Sequence, residues 1–147
     1  MTIDIRNLPV LYINLDNEKE RDIEMYQMLT DLGFTNFSRF GARKAQCGAD
    51  GCFLSHINAA YRLYATETDY VIVMEDDSVI TDMDRLNSHI NDAIDEYDFD
   101  VLSAYFKIPG TDGPYFGSII KSPPYKKHLR PSFFYISDRP YHPLLMI

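Results

Sequence analysis

The segment Tyr70-Val71-Ile72-Val73-Met74-Glu75-Asp76-Asp77 constrains the chain more than any other. Five largely apolar residues run straight into three acids. A short continuous apolar run suits a strand buried on both faces, as in a mostly parallel sheet covered by helices. Ligand sites in such sheets lie outside the carboxyl ends of the strands. The apolar half therefore predicts core, and the acidic half predicts a site. Adjacent carboxylates repel one another unless they share a cation, and hard divalent ions take oxygen ligands. The competing explanation is a solvated acidic turn in which Asp77 or Ser78 caps the next helix. Side chains of an extended segment alternate, which puts Glu75 and Asp77 on one side.

The rest of the chain fits an α/β pattern. Leu8 to Asp16 reads as a first strand that also ends in polar groups, Asn14 and Asp16. Glu18 to Leu32 follows, with Ile23, Tyr26, Leu29 and Leu32 at helical spacing, and Gly33 closes it. Phe34 to Phe40 is a second strand. This β-α-β opening favours a parallel sheet with a right-handed crossover. Gly41 to Gly51 is polar, holds three glycines and predicts a loop. A helix is expected from Cys52, with Phe53, Ile57, Ala60, Tyr61 and Tyr64 on its apolar face and His56 beside that face. His56 is more often a satisfied structural histidine in such a position than a ligand. Met83, Leu86, Ile90, Ala93, Ile94 and Tyr97 predict a third helix. Strands are expected over Asp98–Phe106, Tyr115–Lys121 and Ser132–Ser137, with a Pro-Gly turn at Pro109–Pro114.

Length and charge narrow the class. At 147 residues, the chain is one domain's worth. A net charge of −8 argues against a general nucleic-acid binder, which needs a basic face. No apolar run reaches the roughly 20 residues of a membrane span, and the first residues do not form a signal peptide. Cys47 and Cys52, five apart, match neither a CxxC redox pair nor a zinc set. Two thiols in a reducing compartment, and so a soluble cytoplasmic protein, are expected.

Taken together, several motifs resemble glycosyltransferase family 25, which contains lipooligosaccharide and procollagen galactosyltransferases. Ile13-Asn14-Leu15-Asp16 followed by Arg21 resembles the family's opening. Gly51-Cys52-Phe53-Leu54-Ser55-His56 resembles its Gly-Cys-x-x-Ser-His segment, and Val71 to Asp77 its strand ending in Glu-Asp-Asp. Phe99-Asp100-Val101-Leu102 and Ser132-Phe133-Phe134-Tyr135-Ile136-Ser137 resemble later strands. The matches come in family order. The loop between Ala42 and Gly51 is short for the family. The chain also ends ten residues after Ser137, where further acceptor-binding elements would be expected.

The resemblance implies a GT-A-type Rossmann-like sandwich, truncated at the C-terminus, in a single domain: residues 1–106 bind the nucleotide sugar and 107–147 form a short acceptor side. It implies an inverting hexosyltransferase that moves galactose or glucose from a UDP-sugar to a glycan or protein acceptor, with Mn²⁺ or Mg²⁺. Asp77 is the implied direct metal ligand. Glu75 ligates through water or holds the ribose, and Asp76 is a second ligand if the chain turns there. Asn14, Asp16 and Arg21 would meet the nucleotide. Arg21 in a surface ion pair is the competing assignment. Ser55 and His56 are expected to open a helix whose amides face the same crevice. Inversion needs a general base, for which Asp100 and Asp112 are candidates, although either also fits a turn. A shortened transferase that binds a nucleotide sugar or a partner without catalysis is the alternative, as is a fold without ligand. A Walker B reading of the acidic strand end fails for want of a Gly-rich phosphate loop. The apolar Leu144-Leu145-Met146-Ile147 would fill the core or meet a second subunit.

Overall fold

The computed structural model describes residues 2–64 and 68–96 and, as backbone, strands 101–105, 115–120 and 132–137. The elements in chain order are β1 (Val10–Asn14), α1 (Lys19–Asp31), β2 (Phe37–Gly41), α2 (Gly48–Tyr64), β3 (Tyr70–Glu75) and α3 (Met83–Glu96). They are followed by β4 (Val101–Tyr105), β5 (Tyr115–Ile120) and β6 (Ser132–Ser137). The strands form one sheet in the order β2-β1-β3-β6-β4-β5. Its pairs are parallel except β4 with β5, which is antiparallel. The expected α/β class with a mostly parallel sheet is therefore present. β6 lies in the middle of the sheet, between β3 and β4.

Strand alternation assigns the helices to faces. Val10, Tyr12, Ile72 and Met74 point to one face and pack with Met25 and Leu29 of α1 and with Met83, Leu86, Ile90 and Ala93 of α3. Leu11, Ile13, Val71 and Val73 point to the other face and pack with Ala59 of α2. This is why β1 and β3 read as unbroken apolar runs: both sides are covered. Burying one such side chain contributes about 1.5–3 kcal/mol.

The packed stripe of α1 differs from the expected one. Ile23 and Tyr26 are 69% and 60% exposed, whereas Met25 and Leu29 are buried and Met28 and Leu32 partly so. Two apolar stripes share Leu29 and Leu32, and the denser one, 25-28-29-32, faces the sheet. Tyr26 instead meets Phe37 edge-on, with ring centroids 5.3 Å apart. Gly33 ends the helix at φ +83°, the left-handed conformation that glycine takes without steric cost.

The N-terminal segment is held to α3 by two asparagines one turn apart. Asn91 accepts from the Ile3 amide at 2.7 Å and donates to the Ile3 carbonyl at 2.8 Å, while Asn87 accepts from the Ile5 amide at 3.0 Å. The cap of α3 is Asp82, whose carboxylate accepts from the Arg85 amide at 2.9 Å. Asp77 and Ser78 lie outside that role.

The chain leaves β1 through α1 to reach β2 on one side. It then returns through α2 to β3 on the other side of β1. The strand order thus reverses between β1 and β3. Their carboxyl ends, Asn14 and Glu75, flank the topological switch point at which α/β sheets bind ligands.

Candidate functional site

The three acids after the apolar run do not act as one set. β3 ends at Glu75, and Asp76 and Asp77 already lie in a turn in which the Ser78 amide donates to the Glu75 carbonyl at 3.1 Å. The period-two argument that placed Glu75 and Asp77 together therefore stops at the strand end. Asp76 takes the α1 side and Glu75 the α2 side, through the partners described next.

On the α1 side, Asn14 is the hub. It is 1% exposed. Its amide nitrogen donates to Asp76 Oδ2 at 2.8 Å and to the Glu18 carbonyl at 3.0 Å. Its amide oxygen accepts from Arg39 Nε at 2.7 Å. These bonds use both amide hydrogens, so Asn14 positions its neighbours and has no donor left for a nucleotide. Arg39 also reaches Asp16 at 2.6 Å, and Arg21 lies 3.6 Å from Asp76 Oδ1 and 4.0 Å from Glu18. The competing assignment for Arg21, a surface ion pair, is thus present, with Asp76 and Glu18 as its partners. Burial pushes the Asp76 carboxyl above its ordinary value, against the lowering effects of the Asn14 hydrogen bond and the Arg21 charge. Beside this hub lies an open cleft of about 370 Å³ lined by Asn14, Asp16, Lys19, Asp22, Ile23 and Arg39. Asp22 of this lining accepts from the Tyr12 hydroxyl at 2.6 Å, and burial followed by that bond raises the Tyr12 pKa.

On the α2 side, the helix begins at Gly48, not at Cys52. Ser55 and His56 accordingly sit two turns inside it, and their amides are not at its N-terminus. The loop expectation failed at Gly51, a residue that reads as a helix breaker. A Cβ there would stand 2.6 Å from the Arg43 carbonyl oxygen, so only glycine fits the close approach of the preceding segment. The buried stripe of α2 also differs from the expected Phe53-Ile57-Tyr61 face. Ser55, His56 and Ala59 are buried and Cys52 is partly buried, whereas Leu54 and Tyr61 are exposed. The sheet edge that α2 covers ends in Glu75, which favours polar partners over an apolar row.

Ser55 accepts from the Arg43 amide at 2.7 Å and donates to the Gly51 carbonyl at 2.6 Å. It fastens the 41–47 segment to the helix and does not face the cleft. Cys52 and His56 face Glu75: Sγ and Nε2 lie 3.5 Å and 3.3 Å from the same oxygen, Oε1. Cys47 is exposed, and no disulfide joins it to Cys52.

Gly51→Ala gives the first expected result. Alanine favours a helix by about 1 kcal/mol over glycine, while overpacking against backbone costs about 1–3 kcal/mol. A net loss of about 1 kcal/mol is expected, read as a lowered urea midpoint with an unchanged slope. A midpoint at or above that of the wild type would show that the Arg43 segment gives way freely.

Sequence reasoning missed Arg39 and Cys52. Arg39 had a signal, a charge inside a half-apolar strand. Cys52 lies one helical turn before His56 in the expected helix too, and the pair becomes meaningful only with Glu75 of β3 against both. Asp100 and Asp112, the candidate bases, lie outside the described residues, as do Tyr97 and the 144–147 tail. Among the described residues, no helix is long and apolar enough to cross a membrane. Compared with known proteins, the chain matches no family model, no curated protein and no solved structure.

Proposed function

We propose that the chain is a metal-dependent hexosyltransferase of the glycosyltransferase family 25 type, built on a GT-A-type sheet. It takes a UDP-hexose donor, galactose or glucose, and a glycan or protein acceptor. One observation carries the reading: Asp76, followed by Asp77 in the turn past β3, meets Arg21 of α1 and, through Asn14, the cleft that Lys19 and Arg39 line. An anionic ligand with a bound cation suits such a mixed edge.

The donor set fits Mn²⁺ or Mg²⁺. The carboxylates of Asp76 and Asp77 are hard oxygen ligands, and the raised pKa of Asp76 marks charge that Asn14 and Arg21 compensate incompletely. When bound, such an ion stabilises the charge that grows on the departing nucleoside diphosphate. Arg21, half exposed, is placed to donate to phosphate oxygens in a forked geometry. Ile23 gives the cleft an apolar wall for a base or ribose. Asn14 holds Asp76 in place, and Arg39 holds Asp16. Glu75 belongs to the opposite side, so Asp77 with Asp76 replaces Asp77 with Glu75 as the proposed pair.

The reading predicts manganese-dependent release of UDP from a UDP-hexose, slow without acceptor. Asp77→Asn is expected to reduce the rate about 100-fold or more. UDP binding with no turnover over all UDP-hexoses would favour the non-catalytic binder. Neither binding nor turnover would sink both.

A further inference from the structure

We infer that Cys52, His56 and Glu75 form a site for a single zinc ion, separate from the hard-cation edge at Asp76 and Asp77. The inference does not depend on the proposed transferase activity. Cys52 and His56 are one helical turn apart on the sheet-facing stripe of α2, and Glu75 ends the strand beneath it. One ligand atom from each lies within 4.8 Å of the others.

Two of the three edges match a tetrahedron. With zinc–nitrogen and zinc–oxygen bonds of about 2.1 Å and a zinc–sulfur bond of about 2.3 Å, adjacent ligands stand roughly 3.4 Å (N to O) and 3.6 Å (S to O) apart. The observed edges are 3.3 Å from His56 Nε2 to Glu75 Oε1 and 3.5 Å from Cys52 Sγ to Glu75 Oε1. The third edge, between Cys52 and His56, is within 4.8 Å and closes as the ion draws the two ligands together.

The donor chemistry separates this site from its neighbour. A thiolate and an imidazole select borderline or soft metals, whereas Mg²⁺ and Mn²⁺ prefer the all-oxygen set of Asp76 and Asp77. His56 is buried, and Cys52 and Glu75 are partly so. Three protein ligands leave a fourth position for water or an oxygen of a bound molecule, the arrangement of zinc sites that take part in chemistry. Ser55 and the close contact at Gly51 brace the same turn of α2. The Gly-Cys-x-x-Ser-His segment thus supplies two ligands and the two residues that fix their helix.

Cobalt(II), a spectroscopic stand-in for zinc, tests this on the full chain without any nucleotide sugar. One equivalent is expected to give the strong visible bands of four-coordinate cobalt and a thiolate charge-transfer band, both displaced by zinc. Cys52→Ser removes the charge-transfer band, and His56→Ala lowers zinc affinity at least about 100-fold. Cys47→Ser and Asp77→Asn leave both unchanged. Should Cys52→Ser not fold, alkylation of the unaltered chain decides: zinc is expected to slow labelling of Cys52 and not of the exposed Cys47. Octahedral cobalt spectra, or equal labelling of Cys52 with and without zinc, would show a hydrogen-bonded cluster only and overturn the assignment.

Discussion

Asn14→Leu is expected to lower the unfolding free energy by about 3 kcal/mol, and more than any single change at the cleft surface. The substitution keeps the branched shape and adds the bulk of two methyl groups at a buried position, which adds to the loss. The larger part is hydrogen bonding. Asp76 loses the donor at 2.8 Å, the Glu18 carbonyl loses the donor at 3.0 Å, and Arg39 loses the acceptor at 2.7 Å. Each partner is left partly buried, and a stranded charged group costs more than a neutral one. For a chain of this size the loss corresponds to a fall in Tm of roughly 6–12 °C. Because the hub ties the ends of β1, β2 and β3 together, amide exchange should quicken first at those strand ends. A variant as stable as the wild type would mean that water replaces the asparagine at little cost.

Asp76→Asn is expected to separate stability from function. The asparagine oxygen still accepts from Asn14, while the buried charge disappears. The Asp76 carboxyl is raised in the fold above its ordinary value of 3.8. Between those two values the folded chain holds a proton that the unfolded chain has released. Stability therefore falls as pH rises through that interval, and it stays lower above it. At neutral pH the wild type carries the whole penalty, and below the ordinary value the two proteins should agree. The Arg21 pair that Asn gives up is half exposed and worth at most about 1 kcal/mol. Urea unfolding should thus find Asp76→Asn at least as stable as the wild type at pH 7, with its relative advantage shrinking as the pH falls toward 3.8. Cation-dependent nucleotide binding should meanwhile drop about 100-fold. Loss of stability at pH 7 would show that the ion pair and hydrogen bond outweigh desolvation.

The sequence carried much of the fold because burial on both faces leaves a plain signature. The runs at Val10–Asn14 and Tyr70–Glu75 became an interior parallel pair, and Met83, Leu86, Ile90 and Ala93 became the buried stripe of α3, with Asn91 beside them. The polar strand ends Asn14 and Glu75 lie together at the carboxyl edge of the sheet, on either side of the switch point. The details were less legible wherever one residue type serves two physical roles. Gly51 reads as a loop marker but is a contact requirement inside a helix. Asp76 reads as a strand residue but begins a turn, so the alternation that would put Asp77 beside Glu75 does not carry on. Arg39 and Cys52 gain meaning only from neighbours distant in sequence, which the parallel register and the packing of α2 on β3 bring together.

The most direct test of the account is calorimetric titration of UDP into the chain with and without Mn²⁺. One site per chain, at least tenfold tighter with the ion and lost in Asp77→Asn, is the predicted result. Binding of equal strength without Mn²⁺ and in Asp77→Asn, or no binding at all, would contradict the claim that the acids beyond β3 hold a cation against a pyrophosphate.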